Sequence, residues 1–295
     1  MDFLEKNKEI TKLSKFETKA FCKYFFEINS LEDIKKIKKI YDFAYKNNLE
    51  ILFLWDWTNS FFAFDIFEWI VIKNNLIWWN YDKKTKILKT NSAELISDIA
   101  EILEKKFDNS LWHRFIWLPW TIWAAIYWNA WCFWLETQNN FVELNAYNIQ
   151  TWEIKNFEKK DLDFSYRSSL FKKLWQKYFI IDAIFDLSKK QEKYHSDVDN
   201  IDFRKNKQPS WKTCWSFFKN PSREFSAWFL IESVWLKNKN ISWAFFSELH
   251  ANFLMNDWTA TYKDIENLIK LAQEKVKEKF DIELVPEVRI IKNKK

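Results

Sequence analysis

The chain has no glycine in 295 residues. A soluble chain of this length ordinarily carries about 7% glycine, roughly 20 residues. Tight turns and bulges demand it, because positive φ is reached without steric cost only where there is no Cβ. The same chain has 20 tryptophans. Trp is a large, mostly buried aromatic and belongs among periodic apolar positions. Here it stands where turns stand: Leu54-Trp55-Asp56-Trp57-Thr58-Asn59, Pro119-Trp120-Thr121 and Asn256-Asp257-Trp258-Thr259. Asp-Gly, Pro-Gly and Asn-Gly pairs are the usual punctuation of such segments. Lys, Asn, Ile and Phe abound beside five arginines and four prolines, the usage of an AT-rich gene. Some bacterial lineages read UGA as glycine, and such a gene translated with UGA as Trp prints Trp wherever glycine belongs. We therefore name each Trp as printed and read it as glycine. The competing reading is a truly Trp-rich, glycine-free protein.

The length suits two domains or one large one. The net charge of +5 is weak and dispersed, which argues against a nucleic-acid partner, and runs such as Lys35-Lys36-Ile37-Lys38-Lys39 read as solvated helix faces. Three cysteines far apart, Cys22, Cys132 and Cys214, suggest reduced thiols in a cytosolic protein. No CxxC or His-rich cluster suggests a metal. The opening Met1-Asp2-Phe3-Leu4-Glu5-Lys6 is unlike a signal peptide. Ile116 to Leu135 is uncharged and long enough for a membrane span as printed. Read with glycine it becomes a glycine-rich loop entering a short helix, too broken to span, so no membrane role is expected.

Strands and helices alternate in the first half. Lys23–Ile28 reads as a strand. Ser30 caps a helix to about Asn47 with Ile34, Ile37, Ile40, Tyr41 and Ala44 on one face. Glu50–Leu54 reads as a buried strand, with further strands at Trp69–Lys73, Leu76–Asn80 and Ile87–Thr90. A helix over Ser92–Lys106 turns Ala93, Leu95, Ile96, Ile99 and Ile102 inward. Strands follow at Phe141–Asn148 and Tyr178–Leu187. The polar stretch Gln191–Gln208 reads as a domain boundary. Beyond it come helices at Ser226–Val234 and Tyr262–Phe280 and a strand at Glu283–Ile291. The class is α+β, divided into residues 1–190 and 191–295.

Two loops carry candidate binding chemistry. Trp55, Asp56, Trp57, Thr58, Asn59 and Ser60 become G-D-G-T-N-S directly after a buried strand. Such a loop can wrap successive N–H groups round a pyrophosphate, or be a plain turn. Pro119, Trp120, Thr121, Trp123 and Ala124, with Asn129 beyond, place small residues around a helix start. That arrangement admits either a ligand phosphate at the positive helix end or close helix packing.

Further motifs settle the direction. Phe164-Ser165-Tyr166-Arg167-Ser168-Ser169 is followed by Trp215-Ser216-Phe217-Phe218-Lys219-Asn220-Pro221 (G-S-F-F-K-N-P), by Trp235-Leu236-Lys237 and by Ser247-Glu248-Leu249-His250-Ala251-Asn252-Phe253. The last is Val285-Pro286-Glu287-Val288-Arg289-Ile290-Ile291. In order and spacing these resemble the UDP-N-acetylenolpyruvoylglucosamine reductases, the MurB family, in its shorter second subtype. The resemblance runs from the G-D-G-T-N loop to the P-E-V-R-I-I strand. It departs at Thr18–Lys23, which lacks the usual paired glycines, and at Lys292, where a glycine often closes the last motif.

The resemblance implies a two-lobed FAD-binding fold of the vanillyl-alcohol-oxidase (PCMH) type with a smaller α+β C-terminal substrate lobe. It implies a cytoplasmic enzyme of peptidoglycan synthesis in which NADPH reduces FAD. UDP-N-acetylglucosamine enolpyruvate then takes hydride at its double bond and becomes UDP-N-acetylmuramate. By resemblance Ser216 is the proton donor, while Arg167 and Glu287 stabilise the enolic intermediate. The residues from Trp55 to Ser60, with Pro119, Trp120, Thr121, Trp123, Ala124 and Asn129, hold the cofactor. Tyr166, Lys207, Asn220 and His250 contact substrate. Two competing functions are another FAD oxidoreductase of this fold, needing neither Ser216 nor Glu287, and a non-catalytic Trp-rich binding protein.

Overall fold

The structure is a computed structural model and describes residues 1–55, 59–174, 177–188, 201–202, 206–209 and 212–293. The described chain forms two compact units that interleave in sequence. Residues 1–26, 57–71 and 203–295 make one, and residues 27–56 and 72–202 make the other. The sequence reading divides the chain once, after residue 190.

In the second unit five antiparallel strands lie in the order Ile154–Glu158, Phe141–Asn148, Tyr178–Asp186, Ile87–Asn91 and Trp79–Asp82. Tyr178–Asp186 is rich in β-branched and aromatic residues, which fit a pleated surface, and Phe179, Ile181, Ala183 and Phe185 on one face are all buried. The helix Leu31–Lys46 starts at Ser30, whose hydroxyl accepts the Asp33 N–H, and buries Ile34, Ile37, Ile40 and Ala44.

The second helix runs Ile96–Phe107, four residues later than its expected start, and buries Ile96, Ile99, Ala100 and Leu103 rather than Ile102. Prior commitments of the backbone explain the delay. The Ser92 hydroxyl donates to the Ile180 carbonyl at 2.6 Å. The carbonyls of Ser92 and Glu94 accept the Trp123 and Ile122 N–H groups, both at 2.8 Å. A segment bonded sideways cannot also close helical turns.

The first unit holds the antiparallel sheet Thr213–Ser216, Phe253–Asn256, Ala244–Phe246, Asn240–Ile241, in that order. Its core joins Phe217, Phe218, Leu230, Ile231, Phe246 and Leu254 to Ile265, Leu268, Ala272 and Val276 of the helix Tyr262–Phe280. Thr261 and Asp264 close that helix's N-terminus reciprocally: the Thr261 hydroxyl accepts the Asp264 N–H, and the Asp264 carboxylate accepts the Thr261 N–H. The expected C-terminal strand contracts to Arg289–Ile291, which pairs in parallel with Ser60–Phe62. Pro286 cannot donate to a ladder, and the chain before Arg289 bonds elsewhere. The strands Glu5–Glu9 and Ile154–Glu158 have no counterpart in the sequence reading. Both are mostly exposed and carry little apolar alternation to reveal them.

Trp117, Trp134, Trp152, Trp215, Trp235 and Trp258 lie at φ between 60° and 68°, and no other described residue reaches 60°. Trp134, Trp235 and Trp258 are also 68, 87 and 67% exposed. Positive φ suits glycine and strains a bulky residue. Trp112 is different: it is buried, packs edge-on against Phe185 with ring centroids 4.9 Å apart, and donates its indole N–H to Asn140 Oδ1 at 3.3 Å.

Candidate active site

In the first unit, Ser216 ends the strand Thr213–Ser216. That strand pairs Thr213 with Met255 and Ser216 with Phe253, so three steps on one side oppose two on the other. The extra residue makes a β-bulge, with Trp215 in the left-handed region at φ 64°. Glycine commonly fills such a position, and bulges re-aim the neighbouring side chain. The residue before Ser216 is thus where a glycine is demanded.

Beyond the bulge, Phe217–Lys219 runs between two other segments. On one side the Phe217 carbonyl accepts the N–H of Glu287 at 2.7 Å and of Val288 at 3.3 Å, while the Lys219 N–H donates to the Val285 carbonyl at 2.9 Å. On the other side the Phe217 N–H donates to the Asn252 carbonyl at 2.7 Å. Phe217 and Phe218 are buried, which anchors this backbone in the core. Ser216 and Glu287, 71 positions apart in the numbering, are therefore set in one hydrogen-bonded layer.

The loop after the first buried strand reaches the same layer through backbone. The Arg289 N–H donates to the Asn59 carbonyl at 3.0 Å, and Arg289 pairs with Ser60. The Ser60 carbonyl accepts the Ser14 hydroxyl at 2.7 Å and the Cys214 thiol at 3.6 Å. Asn59 Oδ1 and Thr18 Oγ1 are buried with no hydrogen-bond partner among the described residues. Asp56, Trp57 and Thr58 lie outside the described residues.

In the second unit, Arg167 sits at the tip of a tight turn. Ser165 and Ser168 exchange backbone hydrogen bonds at 3.0 and 3.1 Å around Tyr166 and Arg167, and Arg167 takes φ 54°. Three bonds moor the turn: Asn129 Nδ2 to the Ser165 carbonyl at 3.2 Å, Lys172 Nζ to the Arg167 carbonyl at 2.8 Å, and Ser169 Oγ to the Tyr127 carbonyl at 2.9 Å. The guanidinium lies 5.5 Å from the Trp120 ring centroid, and Tyr166 is exposed.

The helix start at Thr121 differs from an open anion site. The N–H groups of Ile122 and Trp123 bond the Glu94 and Ser92 carbonyls, and that of Ala124 bonds Thr121 Oγ1 at 3.2 Å. These amides are therefore committed within the protein. Asn129 is fully buried and binds Glu136, Ser165 and the Gln138 N–H, so it supports the Arg167 turn. Pro119 and Trp120 precede the cap, and the Trp120 carbonyl accepts the Ile96 N–H at 2.9 Å. The indoles of Trp55 and Trp123 stack with centroids 5.5 Å apart and planes 24° apart, filling space that glycine would leave open.

Three expected substrate contacts fall in the first unit. Asn220 is exposed, and its Oδ1 accepts the Ala227 N–H at 3.0 Å, at the start of the helix Ala227–Ser233. His250 Nδ1 accepts the Asn252 N–H at 3.2 Å, and burial holds this histidine below its ordinary pKa, with Lys237 lowering it further and Glu232 opposing. Lys207 is exposed. Asn252 itself escaped the residue-level reading. Its one sequence signal is a polar residue between Ala251 and Phe253.

Residues 207–291 match the family model described as UDP-N-acetylenolpyruvoylglucosamine reductase, C-terminal domain. The UDP-N-acetylenolpyruvoylglucosamine reductase of Prochlorococcus marinus subsp. pastoris is 30% identical over 216 residues, covering 70% of this chain and 69% of that one. The protein of the same name from Protochlamydia amoebophila is 29% identical over 274 residues, covering 92% and 88%. The crystal structure of UDP-N-acetylenolpyruvylglucosamine reductase (MurB) from Thermus caldophilus superposes with a TM-score of 0.76 at 18% identity, covering 98% of this chain and all of that one. That likeness is one of fold.

Proposed function

Since the chain belongs to the UDP-N-acetylenolpyruvoylglucosamine reductase family, we propose that it reduces UDP-N-acetylglucosamine enolpyruvate to UDP-N-acetylmuramate, with FAD and NADPH, in cytoplasmic peptidoglycan precursor synthesis. The observation that carries this reading is the shared layer of Ser216 and Glu287, joined through the Phe217 carbonyl. A plain member of the fold needs neither motif.

Cofactor fit rests on two features. Asn59 Oδ1 and Thr18 Oγ1 are buried polar atoms without a hydrogen-bond partner among the described residues, and unmet buried polar atoms are rare unless a ligand or water serves them. With glycine at 55 and 123 the stacked indoles vanish and backbone can approach a flat ligand closely. The family resemblance assigns FAD to the residues from 55 to 60 and to Pro119–Ala124. When bound, a reduced flavin supplies hydride to the enol-ether double bond.

The chain's own residues handle charge and proton. Hydride addition drives negative charge toward the substrate carboxylate. The Arg167 guanidinium, pre-set on a moored turn, favours that charge more in the transition state than in the ground state. The Ser216 hydroxyl donates its proton to the carbanionic carbon, completing addition of hydride and proton across the double bond. A serine hydroxyl is a weak acid, but a carbanion is a strong enough base to take its proton. Glu287 presents its carboxyl group from the segment bonded to Phe217 and stabilises the same intermediate.

The test is direct. Protein expressed with glycine at the printed Trp positions should purify yellow with FAD, bleach anaerobically with NADPH, and regain its colour with UDP-N-acetylglucosamine enolpyruvate. Bleaching without reoxidation by that enol ether would sink the substrate assignment, and colourless protein would sink the cofactor.

A further inference from the structure

Asn252 is 2% exposed, and every polar group it has faces the segment beside Ser216 or the turn that presents it. Its Oδ1 accepts the Phe218 N–H at 2.9 Å, its Nδ2 donates to the Phe218 carbonyl at 2.8 Å, and its carbonyl accepts the Phe217 N–H at 2.7 Å. Its own N–H donates to His250 Nδ1 at 3.2 Å. Strand pairing ends at Ser216 opposite Phe253, and past that point the carboxamide supplies the donor and acceptor that another strand would have supplied. Its carboxamide carries the acceptor and the donor on separate atoms, as a peptide group does, where a short hydroxyl side chain has one oxygen for both. Aspartate of equal size lacks the donor.

The far side of this backbone carries Glu287. The Phe217 carbonyl accepts the Glu287 N–H at 2.7 Å, so Asn252 holds Phe217, through which Ser216 and Glu287 are joined, by its backbone, and clamps the adjoining Phe218 by its side chain. We propose that Asn252 is a positioning residue for the reduction, fixing Phe217 and Phe218 so that the Ser216 hydroxyl and the Glu287 carboxyl group meet the same intermediate. This role rests on the reading that Ser216 and Glu287 serve the second half-reaction. A merely structural asparagine would stabilise the fold without favouring either half-reaction.

The two roles separate in rapid-mixing experiments on the holoenzyme made under the gene's own decoding, following flavin absorbance. N252D keeps the size and the acceptor but loses the bond to the Phe218 carbonyl, and N252A removes both side-chain bonds. Flavin reduction by NADPH should stay within about twofold of the unmodified enzyme in both. Reoxidation by the enol ether should slow by about 10–100-fold, the scale on which small misplacement of a reacting group acts. With S216A already present, N252D should add less than about twofold, because interacting residues are non-additive. N252D carries the comparison if N252A fails to fold. Equal slowing of both half-reactions, or the same slowing with and without S216A, overturns the positioning role. An unmodified enzyme that NADPH reduces but the enol ether never reoxidises overturns the functional reading, and this role with it.

Discussion

The N–H of Glu287 donates to the carbonyl of Phe217 at 2.7 Å, so Glu287 is bonded to the residue that directly follows Ser216. With the Val288 N–H on the same carbonyl and the Lys219 N–H on the Val285 carbonyl, it makes the two motifs one object. It also means that changes at either residue are read through the same backbone.

Ser216→Ala should leave flavin reduction by NADPH nearly intact and slow reoxidation by the enol ether by about 10²–10⁴-fold or more, the usual contribution of a general acid. Stopped-flow absorbance resolves the two phases. Parallel slowing of both phases would make the serine structural.

Glu287→Gln should impair the same phase, whereas Arg167→Ala should also weaken substrate binding, since it removes the cation proposed to meet the substrate carboxylate. Titration of oxidised enzyme with substrate measures the second effect. Unchanged affinity in Arg167→Ala would remove the arginine from the binding role.

The gene should carry UGA at every printed Trp, including Trp55, Trp120, Trp123 and Trp215, and protein from the native host should lack tryptophan emission. Trp215 and Trp235, at φ 64° and 60°, are among the six described Trp positions whose left-handed backbone favours glycine. Trp112 is buried with a partner for its indole N–H. UGG there alone would leave the motifs untouched, whereas UGG at 215 would end the glycine reading of the serine motif.

Stability should fall on mild acidification through His250. Burial holds its folded pKa below the unfolded value near 6.5, so the unfolded chain binds the proton more readily. The stabilising contribution is full above about 6.5 and lost as pH falls through the folded pKa. Protonation also removes the Nδ1 acceptor used by the Asn252 N–H. Denaturant melts of the native protein and His250→Gln at several pH values should show a shallower acid decline in the variant. Identical declines would place the titration elsewhere.

Cys22 and Cys214 should resist alkylation in the folded protein at pH 8. Burial pushes both thiols up to about 12, leaving almost no thiolate to react. Mass-spectrometric mapping before and after denaturation checks this, and rapid native labelling of either site would contradict its burial.

Much of the molecule is legible from local chemistry. Apolar spacing in Leu31–Lys46 and Tyr262–Phe280 reports helices because one turn is a local event, and Ser30 and Thr261 cap them as their side chains predict. Turn contexts pointed to glycine at Trp258, and the backbone there takes φ 61°. The motifs around Ser216, Arg167 and Glu287 are contiguous strings and carry their resemblance without a fold. What tertiary structure alone decided is which backbone groups bond to one another across long separations. Ser92 and Glu94 are bonded sideways and delay a helix that periodicity would start at Ser92. The amides after Thr121 are occupied, the residue before Ser216 forms a bulge, and Asn252 completes a ladder that its own strand has left. Each residue brings one donor and one acceptor wherever it sits, so the sequence says that these groups need partners, and only the packed chain says which.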